Sequence, residues 1–405
     1  MMAILDRSAE RGDPGTLRVL SVFGTRPEAI KMSPVVKRLI EALGRDNAPV
    51  CVTGQHREML DQVLGTFGIE PAHDLNLMRE EQSLAYVASE TVRRVDAVLA
   101  SEKPDWVLVQ GDTTTAMATG LAAFYRGVRL GHVEAGLRSH EPRSPFPEEA
   151  NRRLIGALAD LHFAPTEAAR GNLLREGVPG AAIRVTGNTV VDALQEILRR
   201  PRAPDAGALS GVPSGRAKII VVTAHRRENW GAPLVSICEA LKDIAQRYGR
   251  EVALVYPVHR NPRVRRPVER ALSGQENILL LPPLEYPTFL RLLTQAYLAL
   301  TDSGGIQEEG ASLGVPVLLL RNNTERPEGI EAGRVRMVST DRVRIVNEVS
   351  RLLDNGSERD EMAKPTDIFG DGQASLRIVD ALVRARARAT LVESEAEWGL
   401  RRTEA

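Results

Sequence analysis

Two cysteines, Cys51 and Cys238, are all that this chain of 405 residues carries. Both sit within apolar stretches, so no disulfide framework can hold the fold, and two buried thiols in a reducing compartment are expected. No apolar run approaches the roughly 20 residues that a membrane-spanning helix needs. The opening MMAILDRSAERGDPGT has acidic side chains and no long apolar core, which sets it apart from a secretory signal. The cytoplasm is therefore the expected location. Net charge is missing as well, since 53 basic residues balance 53 acidic ones. That balance speaks against a general nucleic-acid or membrane-surface binder and leaves room only for a local basic cleft. Neither GxGxxG nor GxxxxGK(S/T) occurs, so a dinucleotide fingerprint and a Walker loop are both unsupported. HExxH, paired CxxC and DxDxT-like patterns are absent too, and no tightly held metal is expected.

The chain does contain ample material for an interior, with 43% hydrophobic and 26% charged residues. Its length predicts two domains of roughly 150–200 residues each. From Leu17 onward, short β-branched runs such as RVLSVF and DWVLVQGD alternate with helical patterns such as PEAIKMSPVVKRLIEALG. This grammar predicts βαβ units on parallel sheets, hence an α/β fold of two doubly wound, Rossmann-type domains facing across a cleft. The expected boundaries are a loose arm over 1–16, a first domain over 17–187 and a linker region over 188–216. A second domain over 217–371 follows, and over 372–405 a helix packing back on the first domain ends in a frayed tail.

In open α/β sheets a ligand lies beyond the carboxyl ends of the strands, and the unusual residues fall there. GTRPE, TGQHRE, QGDTTT, HVEAG, TAHRRENWG, YPVHRNP and TDSGG carry histidines, arginines and acids where ordinary loops would not. Ser303, Gly304 and Gly305 turn a strand into a helix, and bare amides at such a helix start attract an anion. The acids Glu308 and Glu309 would repel a phosphate if they faced it, so one of them is expected to turn toward neutral hydroxyls such as a ribose. The alternative is a helix whose first turn is acidic only to suit the macrodipole. Arg326 in TERPE favours the ligand, because a guanidinium forks well onto phosphate. Arg26 and Lys31 flank a matching helix start in the first domain. Together these features point to a nucleoside diphosphate held from both sides.

Asp112, Glu134 and Glu148 are the candidate proton-transfer groups. A carboxylate at the mouth of a buried strand is partly desolvated, which is expected to raise its pKa. Each taken alone reads more readily as a helix cap or a surface ion pair, and it is three such groups at cleft-facing positions in one domain that favour the chemical reading. Of the seven histidines, His225 stands out between a strand end and two arginines; His259 and His56 share that setting more weakly. His132 reads equally as a core residue or a chemical one.

These blocks, together with PFPEEANRR, resemble those of the non-hydrolysing UDP-N-acetylglucosamine 2-epimerases, in order and from Leu17 to about residue 385. The resemblance implies a GT-B-like pair of domains, usually a homodimer, and interconversion of UDP-GlcNAc and UDP-ManNAc for surface polysaccharide. It implies elimination of UDP to 2-acetamidoglucal and re-addition, with no redox cofactor. Asp112, Glu134, Glu148 and His225 match the family's catalytic positions. Arg26, Lys31, Ser303, Gly304 and Gly305 match its diphosphate contacts, Glu309 its ribose contact, Phe289 its uracil contact, and Arg326 completes the nucleotide site. Gln55, His56 and His259 match an allosteric UDP-GlcNAc site found in some members. Glu81 stands where those members have Arg, and Leu284 where some relatives have Gln near the base. The alternatives are a hydrolysing relative that releases UDP and ManNAc, or a 2-epimerase for another UDP-HexNAc. Outside that class stand a GT-B glycosyltransferase and a non-catalytic nucleotide-sugar sensor.

Overall fold

The computed structural model describes residues 16–386 apart from 55, 56, 78, 80, 81, 202–206, 214 and 216. The proposed allosteric residues Gln55 and His56, Glu81, most of the amino-terminal arm and the carboxyl-terminal tail lie outside the described residues.

The first half builds one parallel sheet from β1 (Val19–Phe23), β2 (Val50–Val52), β3 (His73–Asp74), β4 (Trp106–Gln110), β5 (Arg129–Val133), β6 (Leu161–Ala164) and β7 (Ile183–Val185). Their order is β3-β2-β1-β4-β5-β6-β7. The second half builds another from β8 (Lys218–Thr223), β9 (Val252–Pro257), β10 (Ile278–Leu281), β11 (Leu298–Thr301), β12 (Val317–Leu319) and β13 (Val335–Met337), in the order β10-β9-β8-β11-β12-β13. Continuous apolar strands such as β1 and β4, buried at every residue, are what a parallel sheet covered on both faces requires. The fold is α/β, with two doubly wound domains.

The helices α1 (Arg26–Leu43), α2 (Arg57–Phe67), α3 (Leu84–Glu102), α4 (Thr114–Tyr125), α5 (Glu148–Leu158), α6 (Glu167–Arg175) and α7 (Thr189–Arg199) cover the first sheet. The second is covered by α8 (Ala232–Tyr248), α9 (Pro262–Leu272), α10 (Tyr286–Thr294), α11 (Gly304–Leu313), α12 (Pro327–Glu331), α13 (Arg342–Asp354) and α14 (Gly356–Met362). None is long and apolar enough to cross a membrane. Both cysteines are free and buried, and burial pushes each thiol up to about 12.

Two sheet positions decide where a ligand can sit. Strand order reverses between β1 and β4 in the first sheet and between β8 and β11 in the second, which are the crevices of doubly wound folds. Asp112, His225 and Ser303 lie in the loops after β4, β8 and β11, and Arg26 opens the helix after β1. The expected linker region holds α7, which is no surface element: Thr189–Leu194 are buried. It packs on α1 from one half and on α10 and α11 from the other. One hydrophobic cluster runs through Val190, Leu194, Tyr286, Leu290 and Ala311 and takes in Ile378 and Leu382 from the helix over 374–386. The Asp192 carboxylate fastens that helix by accepting from Ser375 N at 2.8 Å and Ser375 Oγ at 2.6 Å. The two sheets are thus packed together through α7, with their switch points facing a shared polar interior.

Candidate active site

Glu134 follows β5 with φ at +62°, a left-handed conformation that costs a non-glycine residue free energy and tends to mark functional positions. The turn carries its carboxylate into the junction, where every donor available is polar. Lys31 Nζ from α1 donates to Oε1; so do Asn188 Nδ2 at 2.8 Å and Arg326 Nη2 at 3.1 Å, while Gln110 Nε2 donates to Oε2. Burial alone would raise this group. The charges of Lys31 and Arg326 win and hold it down to about 2. This overturns the expectation that desolvation at a strand mouth raises its pKa, because two buried cations outweigh the lost hydration.

Glu148 behaves in the opposite way. It opens α5, its Oε2 is buried without a hydrogen-bond partner among the described residues, and burial with the nearby Asp112 charge raises its pKa. Asp112, after β4, accepts from Arg152 Nε at 2.8 Å and Nη2 at 2.6 Å. Arg152 also donates to Glu149 at 2.8 Å, so α5 and the β4 loop are locked to one guanidinium.

On the second sheet, the buried Asp302 accepts at Oδ2 from the backbone amides of His225 and Arg226, each at 2.8 Å. This ties the β8 and β11 loops together and presents the half-exposed His225 ring, which stacks on His259 at 5.5 Å with 8° between planes. Ser303 precedes α11 at the N-cap position, and the first residues of the helix are Gly304 and Gly305. A Cβ on Gly304 would lie 2.7 Å from Arg326 Nη1, so only glycine lets that guanidinium rest against the helix start. Arg26 heads α1 and reaches across the junction to the Leu284 carbonyl at 3.0 Å; the bond uses backbone, so leucine supplies it as well as another residue would. Phe289 is buried beside Leu284 and Ile306.

The two adjacent glutamates of α11 part company. Glu309 accepts from the Tyr286 hydroxyl at 3.0 Å, and burial raises its carboxyl to about 7. Glu308 Oε1 accepts from Arg326 Nε at 2.7 Å and Asn188 Nδ2 at 2.7 Å, with Lys31 Nζ at 3.5 Å from Oε2. Burial pushes Glu308 upward, and the cations Arg326 and Lys31 oppose that push. Arg326, expected to fork onto phosphate, spends its three edges on Glu308, Glu325 and Glu134. Glu325 in turn is buried among Arg321, Arg326, Arg152 and Arg226, at 2.9, 2.6, 3.8 and 3.9 Å.

The raised Glu309 carries a testable consequence. A buried acid whose folded value of about 7 exceeds its ordinary value of 4.5 binds a proton more tightly when folded, so its contribution to stability rises as pH falls from above 7 to below 4.5. Denaturant midpoints compared over that window should show this slope in the wild-type protein. Glu309→Gln should remove it and be the more stable of the two at pH 8.

Asn188, Gln110, Glu308, Glu325, Arg152 and Asp302 belong to this network, and of these Glu308 is the one that the sequence pattern brings forward. Asn188 reads in sequence as an ordinary N-cap, which it also is: its Oδ1 accepts from Val190 N at 3.1 Å. Its place is set by Gly187 at φ +85°, where a Cβ would lie 2.9 Å from Gly370 Cα, and by its own amide bonding the Phe369 carbonyl at 2.6 Å. His132 is buried, bonds the Gly111 carbonyl at 2.7 Å, and is held down to about 3 by burial, so it is a neutral core residue. Among the described residues no group of three or more His, Cys, Asp or Glu could hold a metal ion.

The sequence profile of the family described as UDP-N-acetylglucosamine 2-epimerase matches residues 41–383. The chain belongs to that family. An Escherichia coli K12 protein of that name is 51% identical over 378 residues, covering 91% of this chain and 99% of the relative. A Neisseria meningitidis UDP-GlcNAc 2-epimerase solved with UDP-GlcNAc superposes with a TM-score of 0.87 at 44% identity, covering 91% of this chain and all of that one. An S. aureus protein solved with UDP gives 0.84 at 45% identity, covering 90% and 95%. With these relatives the two-sheet architecture is GT-B-like, and this member of the epimerase family places its polar network at the meeting of both switch points.

Proposed function

We propose that this epimerase interconverts UDP-N-acetylglucosamine and UDP-N-acetylmannosamine without hydrolysing either. The observation that carries the reading is the opposed state of two carboxyls at one interdomain junction: Glu134 held ionised by Lys31 and Arg326, Glu148 pushed toward its protonated form. Groups whose environments drive their pKa values apart divide acid and base work. C2 of the sugar has no adjacent carbonyl, so its proton leaves only as the C1 bond to UDP breaks. The C2–H electron pair becomes the C1–C2 double bond of 2-acetamidoglucal and UDP departs with the C1–O pair. In return, a proton adds to C2 from the other face while a UDP oxygen re-forms the bond at C1. Glu134 removes the proton on one face and Glu148 supplies it on the other, with Asp112 fixed beside Glu148 by Arg152. Nothing is oxidised overall, so no redox cofactor is required.

The α11 start with Ser303, Gly304 and Gly305, together with Arg26 and His225, receives the diphosphate. Glu309 and Tyr286 take the ribose and Phe289 the uracil. The ligands named for the N. meningitidis and S. aureus structures support this choice. The enzyme works as a cytoplasmic homodimer that supplies surface polysaccharide, and His259, stacked on His225, contributes with Gln55 and His56 to a second UDP-GlcNAc site. Incubation with UDP-GlcNAc in D₂O, followed by NMR, should give UDP-ManNAc carrying deuterium at C2. Free ManNAc accumulating with UDP would instead identify a hydrolase, and recovery of unlabelled substrate would refute the reading.

A further inference from the structure

Glu308 is a fully buried acid of the junction that neither proton transfer nor nucleotide recognition calls for. A carboxylate among the cations of a diphosphate pocket repels the ligand, and more strongly the less water surrounds it. Yet this one accepts from two donors, Arg326 Nε and Asn188 Nδ2 at 2.7 Å each, and pairs with the Lys31 ammonium 3.5 Å from its Oε2. The same three side chains reach Glu134. Two carboxylates, one from each sheet's domain, therefore share an ammonium, a guanidinium and an amide. The amide is the informative member. Asn188 adds no charge, its backbone is pinned to Phe369, and its single Nδ2 spans both acids, so the distance between them is set by the fold.

We propose that Glu308, spaced by Asn188, is a positioning residue that keeps Lys31 and Arg326 turned toward Glu134 and so limits their grip on the departing diphosphate. The inference rests on the UDP-sugar reading above and adds a division of labour within it. A reversible elimination needs UDP retained but not sunk in a well from which it cannot re-add, because binding that favours the intermediate over the flanking transition states slows turnover. A counter-charge behind the cations produces that balance. It holds part of their field on Glu134, and the remainder meets the phosphates.

Charge substitutions at the two positions should move UDP affinity in opposite directions. Glu308→Gln keeps the shape and removes the counter-charge, so UDP measured by calorimetry should bind about tenfold tighter while kcat for UDP-GlcNAc falls about 100-fold. Asn188→Asp replaces the amide that both acids share with a third carboxylate, and UDP should bind about tenfold more weakly. A merely structural role would weaken UDP binding and turnover together in both variants. Glu308→Gln binding UDP no tighter than wild type overturns the inference, as does Asn188→Asp binding it no more weakly, so a refuting result stays within reach should Glu308→Gln fail to fold. Tightening in Glu308→Gln is the outcome that a merely structural role cannot give. A wild-type protein that binds UDP but does not exchange C2 refutes the epimerase reading instead, and the affinity comparison still decides this one.

Discussion

Glu148→Gln should reduce turnover by about 10²–10⁴ with the fold intact, the range typical of a general acid or base. The fold survives because Glu148 Oε2 is buried without a partner among the described residues, so the amide breaks no hydrogen bond there. Turnover does not survive, because an amide cannot give up a proton at C2. Asp112→Asn and Glu134→Gln should fall by comparable factors for different reasons. Asp112 loses the charge that Arg152 holds in place. Glu134→Gln also leaves Lys31 and Arg326 with one carboxylate fewer, so a lower denaturation midpoint should accompany its loss of rate. Steady-state rates and deuterium incorporation measured on folded protein check all three. Wild-type-like rates across the set would defeat the proton-transfer assignment.

The parts of the site visible in sequence are those where chemistry sits at a strand end. GTRPE, QGD, TAHRRE and TDSGG follow apolar runs, and those runs became β1, β4, β8 and β11, the four strands that frame the switch points. What stayed hidden depends on direction rather than on residue type. Glu308 and Glu309 are neighbours in the chain, but about 100° separates successive side chains on a helix, so one meets Arg326 and the other Tyr286. The state of Glu134 stays hidden for a related reason. Burial is legible from an apolar strand, whereas cations arriving from α1 and from the loop after β12 are not. Asn188 was invisible as a bridge because its N-cap role already accounts for an asparagine in that place. The helix before the Pro- and Gly-rich linker stretch is legible as a helix, but nothing in its sequence shows that α7 is where the two halves pack.

Glu325→Gln should cost about 3–5 kcal/mol of stability, the range expected when one member of a buried ionic cluster is removed and its partners stay behind. The arrangement allows no cheap escape. Arg321 is completely buried and has Glu228, itself partly exposed, as its other acid. Arg326 is buried as well, and its Nη1 edge faces Glu325 alone. Neither guanidinium can shed its proton, since Arg stays charged in proteins, and neither can reach water without opening the junction. An isosteric amide satisfies one donor and neutralises none. The surrounding arginines hold Glu325 well below the ordinary carboxylate value despite its burial. An acid depressed on folding contributes stability that is fully present above its unfolded value, near 4.5, and is lost as pH falls toward the folded one. Urea unfolding of wild type and Glu325→Gln should therefore show the full difference at pH 7, with a narrowing gap as pH drops below about 4.5. A gap under about 1 kcal/mol at pH 7 would mean that the four arginines do not depend on this carboxylate, and that the junction is held by its apolar cluster instead.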